Sequence, residues 1–486
     1  MPEWLDYPVK TAADWRQLRE QRLRADEPQR LAENWQAFRA RLRATGEAVQ
    51  VGVFPYGVFG TPRDMMEHLT TLWISIWERG RRGADRPHSH PGGYVGQARV
   101  VCLSSYSNTK QPSRKEMLMP PLKWKKVLIA DERYESAGVF DVNNDGILDI
   151  VSGAYWYEGP TFKKRHLIGE VQAIGEYYDD FSTIAMDVNG DGYLDFVTGG
   201  WWGDTLRWRE NPGPKGGQWP EHIIARTGSV ETTRAWDVDG DGQLEIVPNC
   251  PGGPLVVYKL VLDAAGKGTG QFAAHKIWDG PQGHGLGCGD IAGHRRADFV
   301  MTKGWLEAPV DAYDGQWIWH SDFDLGTGGI PILVVDVNGD GLNDLILGQG
   351  HPYGLDWWEQ GRDGAGNTTW RKHPIDPFNS QYHDLAWVDI DGDGEEELIT
   401  GKRYRAHNGN DPGEFDDYGT YYFKWNGESF SKQVIDYGPA RTGKGCGIHF
   451  AMADLRGTGR LDIVAPGKDG LFVFYNEGFA EPLRNA

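Results

Sequence analysis

Seven short acidic segments recur along the C-terminal three quarters of this 486-residue chain, with oxygen-bearing side chains at the spacing of a divalent-cation loop. Five copies are intact: D-V-N-N-D-G-I-L-D from Asp141, D-V-N-G-D-G-Y-L-D from Asp187, D-V-D-G-D-G-Q-L-E from Asp237, D-V-N-G-D-G-L-N-D from Asp336 and D-I-D-G-D-G-E-E-E from Asp389. Positions one, three, five and nine supply the side chains. In order these are Asp141, Asn143, Asp145 and Asp149; Asp187, Asn189, Asp191 and Asp195; Asp237, Asp239, Asp241 and Glu245; Asp336, Asn338, Asp340 and Asp344; Asp389, Asp391, Asp393 and Glu397. A carbonyl at position seven adds an oxygen, and a glycine at position six, such as Gly192, permits the sharp turn. The expectation is structural Ca2+ in these five loops. Two worn copies, D-I-A-G-H-R-R-A-D from Asp290 and D-L-R-G-T-G-R-L-D from Asp454, are expected to keep the turn without metal. An EF-hand is rejected. It needs a bidentate Glu at position twelve, where this chain has Ser152, Thr198, Pro248, Leu347 or Thr400. The plainer reading is that the acids make Asx-turns, which leaves clustered carboxylates to repel one another.

A second chemistry lies at a fixed offset. Six residues ahead of the loops stand Glu135, Phe181, Glu231, His284, Ile330, His383 and Ile448, with His449 one step later. If these positions converge, Glu231, His284, His383 and His449 form a site for zinc or another divalent ion, since imidazole and carboxylate suit such metals. The competing reading is that Gly283-His284 and its equivalents are hydrogen-bonded packing residues.

Both readings require elements that bring distant segments together. The loops recur at intervals of 46, 50, 53, 46, 53 and 65 residues, which signals a repeat architecture. Each loop is preceded by a short apolar strand (AGVF, LAWV) and followed by another (LDIVSG, NDLILG). An aromatic third strand (LRWRENPG, LDWWEQG) and a fourth (WPEHII, WRKHPI) complete the unit. Four strands in about 50 residues match a propeller blade. A lone fourth-type strand near Trp124 precedes the first loop, and the last repeat ends on its third strand. The first strand is therefore expected to complete the last blade, leaving no free edge. The fold read is an all-β seven-bladed β-propeller over 122–483, with a small α-rich N-terminal extension.

The repeated D-x-[DN]-x-D-G-x-x-[DE] loops and their strands resemble the FG-GAP/VCBS repeats, the blades of the integrin α-subunit head and of many bacterial proteins. The resemblance covers roughly 122–480 and implies that the acidic loops share one face. The opposite face then carries the segments before each first strand and the turns between second and third strands. Those turns hold Tyr155, Trp201, Lys303, Trp305, His351 and Lys468. The longest insertion, Gly401 to Phe423, holds Lys402, Arg403, Tyr404, Arg405 and His407. Aromatic faces stack on sugar rings, and Arg and Lys hold carboxylates.

The segment HGLGCGD, the Gly-Trp turn and KRYRAHNGNDPGEFD are similar to the propeller domain of aldos-2-ulose dehydratase, although that enzyme's cupin domains are absent here. The likeness implies a metal-dependent β-elimination of water beside a ketone, on a ketosugar. His284, His383, His449 and Tyr404 would then be catalytic groups or ligands. Lys303, Trp305, Arg403, His407 and Lys468 would contact the carbohydrate. The alternative is a non-catalytic calcium propeller that binds glycan or protein in adhesion.

Composition narrows the field. A net charge of −19 argues against nucleic acid. Cys102, Cys250, Cys288 and Cys446 form no C-x-x-C pair. No apolar run reaches 18 residues, so no membrane span is expected. A calcium propeller favours an extracellular or periplasmic setting, yet the polar N-terminus does not read as a secretory signal. Residues 1–83 read as a helical segment. The stretch from DYPVKTAADWRQLRE to GVFGTPRDMMEHL resembles uroporphyrinogen decarboxylase-like proteins but is too short to close their barrel. Residues 84–121 read as linker, and the abrupt join suggests a fusion.

Overall fold

Period-two alternation sends successive side chains of each strand to opposite faces of its sheet, so that every blade packs against both of its neighbours. The computed structural model describes residues 120–407 and 409–480. The helical reading of 1–83 and nearly all of the linker 84–121 lie outside these residues. Seven four-stranded antiparallel sheets follow one another, each ordered first to fourth strand. Blade 1 runs from Gly138–Phe140 to Lys164–Leu167, blade 2 from Ile184–Met186 to Glu221–Arg226, and blade 3 from Thr232–Trp236 to Gly268–Trp278. Blade 4 runs from Leu286–Gly289 to Ile318–His320, blade 5 from Leu333–Val335 to Thr368–Pro374, and blade 6 from Tyr382–Val388 to Phe430–Gly438. Blade 7 takes its first three strands from the C-terminal end of the repeats and its fourth from Leu122–Ala130, which pairs antiparallel with Leu471–Phe479. The expected closure is therefore observed.

Apolar side chains cluster between consecutive blades all the way round. Val151 meets Phe196 between blades 1 and 2, and Ile246 meets Leu206 between 2 and 3. Val247 and Phe299 share the next core, and Val464 packs with Ile150 across the closure. Amide side chains latch some neighbours. Asn211, Gln360 and Asn476 each donate to the position-two carbonyl of the preceding blade's loop, at Val142, Ile291 and Ile390 (2.8, 3.1 and 3.0 Å).

A second repeated device pins the outer strand. In blades 1, 2, 4 and 5 a W-x-E run on the third strand meets a fourth-strand histidine. Trp156, Trp208, Trp305 and Trp357 stack on His166, His222, His320 and His373. Each imidazole also bonds Glu158, Glu210, Glu307 or Glu359 at 2.7–2.9 Å. Trp305 is thus buried inside blade 4 and does not face a ligand, contrary to the sequence expectation.

Candidate functional site

The acidic loops connect first to second strands. The position-six glycines of the five intact loops take φ of 84–91°, Gly459 of the worn seventh copy takes 75°, and in the worn fourth copy Arg295 is held at φ 63°. The position-nine acid is a buried clamp. Asp149 accepts N–H bonds from Val142 (2.9 Å) and Gly159 (2.8 Å), and Asp195 accepts from Val188 (2.9 Å) and Asn211 (2.7 Å). Burial pushes the Asp195 carboxyl up to about 7 and that of Asp344 up to about 6. The Asx-turn bonds are present too, for example Gly146 N to Asp141 (2.8 Å) and Ile147 N to Asp145 (2.8 Å).

The loops divide into two kinds. In blade 3 the Lys259 ammonium lies 2.6, 2.6 and 3.0 Å from Asp239, Asp241 and Glu245. In blade 6 Lys424 lies 2.8, 2.7 and 2.8 Å from Asp391, Asp393 and Glu397. His294 and Arg456 approach the acids of the worn copies in blades 4 and 7. The three loops with Asn at position three, in blades 1, 2 and 5, have no such cation among the described residues. The residue opposite position nine on the third strand decides this. It is Lys in blades 3 and 6, and Glu158, Glu210 or Glu359 in blades 1, 2 and 5.

On the opposite face, segments of four blades converge. Glu231 precedes blade 3, His284 precedes blade 4, His351 lies in the second-to-third-strand turn of blade 5, and His383 begins blade 6. Their ligand atoms all lie within 4.8 Å of one another. Glu231 Oε1 is 3.2 Å from His284 Nε2 and 3.1 Å from His383 Nε2, and His284 Nε2 is 3.0 Å from His351 Nε2. The outer nitrogens fix the tautomers. His284 Nδ1 donates to the Gly328 carbonyl (2.7 Å), and His351 Nδ1 donates to Asp411 (2.8 Å). Neutral His284 and His351 therefore aim bare Nε2 lone pairs at each other and at a carboxylate. That arrangement needs a positive charge among them, as a proton or as a metal ion.

The electrostatics agree. Burial opposes charge on Glu231, but the adjoining histidines hold its carboxyl well below the usual range. Burial likewise opposes charge on His284, and Glu231 outweighs it, so this imidazole is raised. Burial takes His351 down to about 4 and His383 down to about 3, with Arg403 adding to both.

Sequence reasoning placed Glu231, His284 and His383 at equivalent offsets, and they do come together. It missed His351 as a member. It also missed Asp411, whose second oxygen takes His407 Nδ1 at 2.8 Å and which is thus a shared carboxylate for two stacked imidazoles. His449 does not join them. It lies one residue past the equivalent Ile448, so alternation along the extended chain turns it away, with Nδ1 3.3 Å from the Ala137 carbonyl. Burial, then Arg234, push its imidazole down to about 3. The unfolded chain takes up a proton that folded His449 refuses until about pH 3, so stability falls as pH drops below about 6.5. A His449→Asn variant is expected to show a shallower loss between pH 6.5 and 4 in denaturant melts. An unchanged slope would show that His449 titrates normally.

Arg403 is buried, not open to a ligand. It grips Glu135 through two bonds of 2.8 and 3.2 Å. Lys402 ends a blade 6 strand instead of lying on the insertion. Burial takes it down to about 8, and it holds Gln381 at 2.7 Å. Lys303 is exposed and pairs with Asp324 (2.5 Å). Tyr404 stacks on Tyr418, and Lys468 bonds the Arg405 carbonyl (2.5 Å) beside Glu135.

Radial closure and the repeated loop define the class: a seven-bladed β-propeller. The FG-GAP-like repeat family model matches residues 187–247 and 336–400, so these two stretches, in blades 2–3 and 5–6, are FG-GAP-like repeats. No curated protein matches the chain. Among solved structures, BBS1N in complex with ARL6DN, soaked with lead, is 10% identical with a TM-score of 0.43, covering 74% of this chain and 98% of that one. The same complex soaked with mercury gives 12% identity and a TM-score of 0.41, covering 73% and 96%. Among the described residues no helix is long and apolar enough to cross a membrane.

Proposed function

We propose that Glu231, His284, His351 and His383 hold zinc or a similar divalent ion, and that the propeller is a metal-dependent carbon–oxygen lyase acting on a sugar. The carrying observation is the convergence of four donor atoms whose outer nitrogens are already spoken for at His284 and His351. Zinc with bonds of about 2.05 Å sets tetrahedral ligand atoms about 3.3 Å apart. Three of the six separations here, 3.0, 3.1 and 3.2 Å, are close to that, and all six lie within 4.8 Å. Asp411 behind His351 is the outer carboxylate that such ligands commonly have. The bound ion would polarise a ligand oxygen. His407, exposed and oriented by Asp411, would take the proton from the carbon beside the ketone. As the C=C bond forms, the neighbouring C–O bond breaks, and the hydroxyl leaves as water with a proton from Tyr404. The carbohydrate reading is supported by the likeness to the dehydratase propeller, whose segments supply His284, Tyr404, His407 and Asp411. The test pairs elemental analysis with an assay for the unsaturated product. A protein that binds glycan unchanged and carries calcium alone would establish the adhesion reading instead.

Calcium belongs, on this reading, to the loops of blades 1, 2 and 5. Blades 3 and 6 are neutralised by Lys259 and Lys424. Lys424 keeps 24% of its side-chain exposure, while Glu397 has none. Lys424→Met is therefore expected to cost about 2–3 kcal/mol, below the cost for a fully buried pair. Millimolar calcium should recover much of that loss in the variant. A loss that calcium leaves untouched would show that this loop cannot accept the ion.

A further inference from the structure

In a chain of net charge −19, one cavity is lined by four cations and a single carboxylate. Arg133, Arg405, Arg441 and Lys468 surround about 240 Å³, together with Tyr404 and Glu176. The residues come from separate parts of the ring. Arg133 lies between the closing strand and blade 1, and Glu176 in the hairpin Ala173–Ile174 with Tyr177–Tyr178. Tyr404 and Arg405 lie on the blade 6 insertion, Arg441 after blade 6, and Lys468 in a blade 7 turn.

Glu176 is committed to Arg405. Lys468 is held by the Arg405 carbonyl and by Glu135 at 3.4 Å, and its ammonium lies 3.8 Å from the Tyr177 ring centre. Arg133 and Arg441 make no ion pair among the described residues. Two guanidinium groups without a counter-ion at one cavity match the geometry of a bidentate oxyanion. The volume is below the roughly 300–1,000 Å³ of drug-sized sites, which suits one charged group or a single ring. Glu135 ties the cavity to the histidine cluster. It pairs with Lys468 on one side (3.4 Å) and accepts two bonds from buried Arg403 on the other (2.8 and 3.2 Å).

We infer that this cavity binds the carboxylate of an acidic sugar and presents its ring toward the histidine cluster. The inference rests on the lyase reading for the chemistry after binding, but the cavity is testable alone. Calorimetry or ligand-observed NMR would compare glucuronate and galacturonate with glucose and galactose, and with inorganic sulfate and phosphate. The sugar acids should bind at least about tenfold more tightly than the neutral sugars and weaken with added salt. Arg133→Gln/Arg441→Gln, both exposed, should lose about tenfold or more while the fold is kept. Equal binding of neutral sugars, or an unchanged double variant, would overturn the inference. Sulfate or phosphate matching the sugar acids would also overturn it, leaving a free-oxyanion site. Sugar-acid binding that survives His284→Ala/His383→Ala confirms the cavity as separate from the metal. Metal without sugar-acid binding sinks only the cavity, and a wild type that binds sugar acids but takes up no metal on dialysis into zinc sinks only the metal reading.

Discussion

Protein purified without chelator is expected to carry about one equivalent of zinc or a similar ion per chain, and His284→Ala/His383→Ala to carry none. The reasoning is about lone pairs. Gly328 and Asp411 claim the Nδ1 protons of His284 and His351, so the facing Nε2 atoms have nothing to offer but acceptors. Glu231 Oε1 adds a third acceptor and a full charge. Removing two imidazoles leaves Glu231 and His351, too few for a zinc site. Asp411→Asn keeps all four donors and loses the carboxylate that His351 shares with His407. Its affinity is expected to fall about 10–100-fold. The lyase reading adds that product formation is lost with the metal in the first variant. A wild-type protein free of transition metal after dialysis into zinc would leave His284 as a protonated partner of Glu231, and the cluster as a purely structural ion network.

The fold was legible because its information is local and repeated seven times. Period-two strands, a glycine at the left-handed sixth position and the orphan strand near Trp124 are visible without long-range knowledge. The candidate site was half legible. Glu231, His284 and His383 share one offset from the loops, so symmetry alone puts them together. His351 and Asp411 share no such offset. They come from a turn and from the insertion, and only the ring's curvature brings them in. His449 shows the reverse error, since a one-residue shift on an extended chain reverses a side chain. The division among the acidic loops was in the sequence but unread. It depends on the residue opposite position nine, Lys259 or Lys424 against Glu158, Glu210 or Glu359, which requires the register of the third strand. The W-x-E run with its fourth-strand histidine was also present, and there the bulk of 21 tryptophans hid the pattern.

Chelation is expected to lower the melting temperature by about 10 °C. An ion that binds only the folded state adds about 2.7 kcal/mol per site when present at a hundred times its dissociation constant, and three loops make about 8 kcal/mol. Spread over the unfolding entropy of roughly 360 residues, that amounts to about 10 °C. The shift should persist in His284→Ala/His383→Ala, which places it in the loops, and calcium should reverse it where magnesium, which dehydrates reluctantly, does not. Alanine at Asp191, whose oxygens serve one loop in blade 2, should take away about a third of it. Alanine at Asp239 should not, because Lys259 already serves that loop in blade 3. Identical melting curves with and without chelator would mean that Asx-turns and buried position-nine acids hold every loop unaided, and that no loop takes up the ion.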